Sequence, residues 1–275
     1  MSVRTAYDKA AAEGRAALVG YLPAGFPTVD GAIEAARTMV EAGCDAIEIG
    51  LPYTDPMMDG PTIQDAVHQA LVGGVRVADV FRTVEAVAAT GVPTLVMTYW
   101  NPVDHYGVDR FARDLASAGG TGLITPDLTP EEGGAWLEAS DAHGDGPGLD
   151  RVFLVALSST DERIEKITEV SRGFVYAASL MGVTGARSAV DTGAPRLVER
   201  TRAMIDKRGT ALPVGLGLGV GNGAQAAEVA GFADGVIVGS AFVRRLLDAP
   251  DLPSGLAGVR ALTEELAAGV RVGRR

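Results

Sequence analysis

Short apolar runs alternate with helix-patterned segments from one end of the chain to the other, and this alternation restricts the architecture more than any single motif does. The runs fall at residues 17–21, around Ile47 and Ile49, and at 93–98, 122–125, 152–156, 173–178, 213–217 and 234–239. Between them lie segments with apolar residues at helical spacing. Ile33, Ala36, Met39 and Val40 mark the first, which Gly43 stops. Further helices are predicted over 63–71, 77–88, 108–118, from Thr129 onward, and over 161–170, 194–205, 222–230 and 255–270. An additional helix, 6–13, precedes the first strand, and a short one, 241–247, precedes the last barrel helix. Eight strand–helix units in 275 residues predict an α/β fold, a parallel (β/α)8 barrel of the TIM type. No Pro/Ser-rich or charged linker divides the chain, so residues 1–275 are expected to form one domain. A doubly wound open sheet is the competing arrangement. It lacks its G-x-G-x-x-G turn after the first strand, where Leu22-Pro-Ala-Gly-Phe-Pro27 stands instead.

Composition narrows the function. With 47% apolar and 21% charged residues the chain can bury a large core. A net charge of -11 argues against a nucleic-acid partner, and the short basic tail of Arg271, Arg274 and Arg275 reads as solvated. A single cysteine, Cys44, excludes an internal disulfide, and the cytoplasm is the expected compartment. Residues 1–15 are polar and unlike a signal peptide, and no apolar run approaches the ~18 residues that suggest a membrane span. His68, His105 and His143 are far apart and form no ligand-spaced cluster, so no metal is expected.

The segment from Cys44 to Gln64 carries the chemistry. With a period of two, Ala46, Glu48 and Gly50 share one face of the strand while Ile47 and Ile49 occupy the other. Glu48 is therefore expected inside, where an ionisable group is costly unless paired and is a candidate acid or base. Pro52, Pro56, Pro61 and Gly60 bar a helix across the following loop, so Asp55 and Asp59 sit on a stiffened segment above the strand end. Asp55 and Asp59 read equally as turn and capping residues. Thr62 is expected to cap the next helix.

Three glycine-bearing turns follow the last three strands: 182–188, 215–219, and Gly239-Ser240 at the start of the short helix. Each alone is explained by turn geometry. Together they stand where barrels commonly bind phosphate, with unpaired N–H groups and a helix dipole favouring an anion. Arg187 reads as an ordinary solvated arginine or a phosphate partner, the former favoured. The insert Asp145-Gly-Pro-Gly148 lies between a helix and a strand, which assigns it to the opposite face of the barrel.

The run E-I-G-L-P-Y-T-D-P-M-M-D-G-P-T-I-Q, residues 48–64, closely resembles the signature of the tryptophan synthase α subunit family, and residues 176–185 resemble its sixth loop. The resemblance extends over nearly the whole chain. It implies a lyase of tryptophan biosynthesis that cleaves indole-3-glycerol phosphate to indole and glyceraldehyde 3-phosphate. Glu48 and Asp59 would be the catalytic carboxylates. Tyr176 would contact substrate, Thr184 would belong to a closing lid, and Gly185, Gly217, Gly239 and Ser240 would bind phosphate. The loops at 52–59 and 99–102, with Asp55, Tyr99, Trp100 and Asn101, would face a β subunit in an α2β2 heterotetramer. Pyridoxal phosphate belongs to that partner, and this subunit would need no cofactor of its own. Tyr53, Thr54, Met57, Met58 and Leu157 depart from the family pattern, as does Leu216, which stands where Phe commonly lies against the indole. Two other readings are a stand-alone lyase without a β partner and a weakly catalytic paralogue that acts as an allosteric partner of a β subunit.

Overall fold

The computed structural model describes residues 1–179, 193–217 and 219–272. Its eight strands are β1 (Ala17–Pro23), β2 (Ala46–Gly50), β3 (Thr94–Met97), β4 (Gly122–Thr125), β5 (Asp150–Ala156), β6 (Val175–Ala178), β7 (Val214–Gly217) and β8 (Gly235–Val238). They pair in parallel in chain order, and β8 returns to β1 to close the barrel. The expected (β/α)8 architecture is the observed one.

Period-two alternation divides the strand side chains between two separate cores. Leu18, Ile47, Ile49, Val96, Leu123, Val155, Leu216 and Val236 point outward into the layer under the helices. Val19, Ala46, Leu95, Val152, Phe174 and Ile237 point inward and fill the barrel. Leu216 is fully buried in the outer layer, which corrects the expectation that it lies against the substrate. Its neighbours Gly215 and Gly217 take the inward positions, where an added Cβ would run into the rings of Phe174 and Tyr176 and the hydroxyls of Tyr7 and Tyr176.

The outer ring comprises α2 (Val29–Ala42), α3 (Pro61–Val72), α4 (Val77–Ala88), α5 (Trp100–Tyr106), α6 (Val108–Ser117), α7 (Gly134–Ala142), α8 (Asp161–Val170), α9 (Gly193–Lys207), α10 (Gly223–Ala230), α11 (Ser240–Leu247) and α12 (Leu252–Val272). None of the described helices is long and apolar enough to cross a membrane. The first helix, α1 (Arg4–Ala12), lies outside this ring. It inserts Val3, Ala6, Tyr7 and Ala10 into the inner core and seals the end of the barrel at which the strands begin. Tyr7 stacks on Phe174 at 5.1 Å.

Three local expectations are corrected. The helix predicted from Thr129 starts at Gly134, because Thr129 hydrogen-bonds the Glu132 carboxylate (2.9 Å) in a turn that Gly133 and Gly134 follow. Residues 100–102 are the start of α5 with Tyr99 at its cap, not an open loop, since the Asp127 carboxylate accepts the otherwise unpaired Trp100 N–H at 2.9 and 3.1 Å. Thr62 does not cap α3: Gly60 is the cap position, Pro61 opens the helix, and Thr62 lies inside its first turn. The insert at 145–148 lies at the sealed end, where Asp145 meets the N-terminal ammonium at 3.3 Å.

That end is fastened by aspartates. Asp45 accepts the Leu18 N–H (2.9 Å) and both Arg15 Nη atoms (2.6 and 2.7 Å), which ties the start of β1 to the start of β2. Asp234 accepts the Val214 N–H before β8, and Asp150 accepts the Val3 N–H and the Ser2 hydroxyl below β5. The side chains of Arg15 and Asp45 are only 6% and 8% exposed, so removing one leaves the other nearly unsolvated. Arg15→Ala is expected to destabilise the barrel by about 3 kcal/mol, the low end for a broken buried pair because Asp45 keeps its bond to Leu18; urea unfolding of parent and variant checks this.

Candidate active site

The open end of the barrel holds a cavity of about 610 Å3, bordered by Glu48, Asp59, Tyr21, Tyr176, Met97, Leu154, Gly217, Ile237, Gly239, Ser240 and Arg244 among others. This size suits one small-molecule ligand. The cavity lies beyond the carboxyl ends of the strands, where barrels of this class build their sites from loops.

Glu48 sits in the middle of β2, in register with Tyr21 of β1 and Leu95 of β3. It has no exposed surface, and among the described residues neither carboxylate oxygen has a hydrogen-bond partner. Burial alone pushes its pKa up to about 8, because nothing compensates the lost hydration of the anion. The group therefore carries its proton at neutral pH while facing a cavity. Such a carboxylic acid can give that proton to a bound molecule and then serve as a base.

Asp59 reaches the same cavity from the loop after β2. It is half-buried, and burial raises its pKa as well. Two contacts hold this part of the loop: the Met58 N–H donates to the Tyr99 hydroxyl (2.8 Å), and the Gln64 amide donates to the Asp59 carbonyl (2.7 Å). Asp55 points elsewhere. It is exposed, and its carboxylate accepts the Thr54 hydroxyl at 2.6 Å. The structure thus separates two aspartates that turn propensity alone does not distinguish.

Tyr176 stands on β6 with its hydroxyl over Gly217. Burial raises its phenol pKa, with the nearby Glu48 adding to the shift, so it stays a protonated donor. Gly217, Gly239 and Ser240 all border the cavity. Ser240 opens α11, whose first N–H groups have no acceptor within the helix, and this helix start borders the cavity. Thr184, Gly185 and Arg187 lie outside the described residues.

Tyr99, Trp100 and Asn101 do not line the cavity. Tyr99 is buried and packs on Tyr53 at 5.8 Å, Trp100 packs partly against the outer core, and the Asn101 amide donates to the Tyr53 hydroxyl at 2.9 Å. Together they brace the loop after β2 against the start of α5.

Motif reasoning passes over Tyr21, Met97, Leu154, Ile237 and Arg244. For the strand residues a signal exists: the alternation Ala17, Val19, Tyr21 carries an aromatic side chain to the face that Glu48 occupies on the next strand. Arg244 leaves no such trace, because its position depends on how α11 packs against α3.

The family model for the tryptophan synthase alpha chain matches residues 7–271. The tryptophan synthase alpha chain of Salinispora arenicola (strain CNS-205) is 66% identical over 269 residues, which are 98% of this chain and 97% of the relative. That of Thermobifida fusca (strain YX) is 59% identical over 273 residues, 99% of each. Tryptophan synthase from M. tuberculosis, in a crystal structure of its open form with BRD0059 bound, contains a chain that superposes with a TM-score of 0.88 at 53% identity, covering 99% of this chain and 100% of that one. A mutant tryptophan synthase alpha-subunit from the hyperthermophile Pyrococcus furiosus superposes at 0.81 with 29% identity, covering 92% of this chain and 98% of that one. With the barrel closed in the same way and a buried glutamate facing the aspartate of the next loop, the chain belongs to the tryptophan synthase alpha chain family.

Proposed function

We propose that this chain is a carbon–carbon lyase that cleaves indole-3-glycerol phosphate to indole and glyceraldehyde 3-phosphate, as the α subunit of a tryptophan synthase. The observation that carries the mechanism is Glu48, a fully buried and uncompensated carboxyl group facing the cavity that Asp59 also borders.

The reaction divides its protons between the two carboxyl groups. Glu48 gives its proton to indole C3 while the Asp59 carboxylate takes the proton from the ring nitrogen, which leaves a neutral indolenine. The ionised Glu48 then takes the proton of the glyceryl hydroxyl. That oxygen becomes the aldehyde carbonyl, the C–C bond breaks, and its electron pair returns to the ring as Asp59 gives back the N–H proton. Both groups end as they began. The two carboxyl groups relay the protons and the broken C–C bond itself supplies the electron pair, so the step calls for no metal or organic cofactor. Tyr176 borders the indole, and the phosphate lies toward Gly217, Gly239, Ser240 and the first turn of α11, where backbone N–H groups favour an anion. Thr184 and Gly185 are proposed to complete this end from the sixth loop.

A pyridoxal-phosphate β subunit is proposed to receive the indole in an α2β2 assembly in the cytoplasm. The proposed contact surface comprises the loop at 52–59 with Asp55 and the start of α5 with Tyr99, Trp100 and Asn101. Met57 on that loop is 83% exposed, an apolar side chain at the rim that a partner would cover.

Glu48→Gln keeps the shape and loses the proton. It is expected to lower kcat by about 10²–10⁴ with inorganic phosphate affinity retained; steady-state assays and calorimetry test this, and full activity removes Glu48 from the reaction.

The raised pKa of Glu48 also links stability to pH. An unfolded glutamate titrates near 4.5 and the folded one near 8, so the folded state holds a proton that the unfolded state has released throughout that window. Its stabilising contribution is complete below the lower value, erodes as pH rises, and is gone above the upper one. Glu48→Gln removes this dependence, so the variant should gain on the parent by up to about 1.4 kcal/mol per pH unit across the window. The parent's kcat/KM should fall as pH passes about 8. Equal pH dependence of unfolding in both proteins would contradict the assignment.

The direct test is indole release from indole-3-glycerol phosphate by the purified chain, alone and with a β subunit. Slow turnover that rises with the partner is expected. Fast turnover alone identifies a free lyase, and none in either case leaves a binding role.

A further inference from the structure

A dianionic phosphate entering this cavity meets the Asp59 carboxylate in a protein of net charge -11. Backbone N–H groups offset part of that repulsion, but among the described lining residues Arg244 supplies the only cationic side chain. It stands one helical turn beyond Ser240 on α11, on the same side of that helix. It forms no ion pair with any described carboxylate. Its one side-chain hydrogen bond among the described residues runs from Nη2 to the Thr62 hydroxyl at 2.9 Å.

Thr62 lies in the first turn of α3, three residues after Asp59. The bond joins positions 182 residues apart in sequence, between the helix that opens at the proposed phosphate end and the helix that anchors the Asp59 loop. A neutral hydroxyl leaves the charge of a guanidinium uncompensated, with several of its five N–H donors still available. We propose that Arg244 is a positioning residue that binds the substrate phosphate while holding the first turn of α3, so that phosphate capture fixes the placement of Asp59.

The inference rests on the proposed lyase reading, and its two arms can fail separately from it. Inorganic phosphate binding to the full chain is measured by calorimetry, and turnover of indole-3-glycerol phosphate by indole release with the β subunit present. Arg244→Met should weaken phosphate binding roughly tenfold or more, the scale of one charge-assisted hydrogen bond, and raise KM by a similar factor. Arg244→Lys, which keeps the charge and loses the fork, should recover much of the phosphate affinity but not kcat. Thr62→Val should leave phosphate affinity within about twofold and lower kcat, because the anion still finds the guanidinium while α3 loses its tie. Arg244 is exposed, so the two Arg244 variants should unfold at the parent's denaturant midpoint. A parent that binds no phosphate, or Arg244→Met that binds it as the parent does, overturns the phosphate role. Unchanged kcat in Thr62→Val overturns the coupling. A parent that binds phosphate through Arg244 yet releases no indole retains the anion site and refutes the lyase reading alone.

Discussion

Closure of the sheet by pairing β8 with β1 is the constraint from which the rest follows. Once no edge remains, every strand residue faces either the helices or a narrow interior, and the interior is out of reach of water except at its ends. A carboxyl group assigned inward by strand periodicity then has no hydration shell to keep it ionised. Glu48 is in that position, and its chemistry comes from geometry rather than from a charged neighbour.

The same interior is crowded unevenly. On β7 and β8 the inward positions include Gly215, Gly217 and Gly235, and the space they leave is taken by Tyr7, Phe174 and Tyr176. Aromatic rings projecting from β6 and from α1 thus do the filling that branched side chains do elsewhere in the barrel. The two ends of the molecule carry opposite duties. At the end where strands begin, Asp45 and Asp234 each accept a backbone N–H and an arginine, and Asp150 accepts the Val3 N–H and the Ser2 hydroxyl, so that they hold the chain together. The carboxyl groups toward the other end, Glu48 and Asp59, border the open cavity instead.

Much of this was legible in the residues. The alternation of runs, the inward face of Glu48 and the glycine turns after the last strands follow from period and turn chemistry, which are local properties. Where local signals were ambiguous, tertiary contacts decided. The motif around Thr129 has the composition of a helix start, but Gly133 and Gly134 delay α7. Residues 99–102 read as a loop until Asp127, from the next loop along, provides the missing acceptor for α5. Leu216 was expected in the pocket, yet the flanking glycines claim the inward positions of β7. Asp55 and Asp59 share one motif: turn propensity does not tell them apart, the family resemblance does, and the path of the loop brings only Asp59 to the cavity. Arg244 was invisible because its partner is on a helix nearly two-thirds of the chain away.

The helix that seals the bottom of the barrel changes what kind of vessel this is. With Tyr7 and its neighbours packed under Phe174, the interior is a blind well, not a tube. Among the described residues the well is closed at the α1 end, so whatever reacts above Glu48 exchanges at the end where the strands finish. Passage is thereby handed to the rim, to the loop after β2 and the first turns of α3 and α11 that border the mouth.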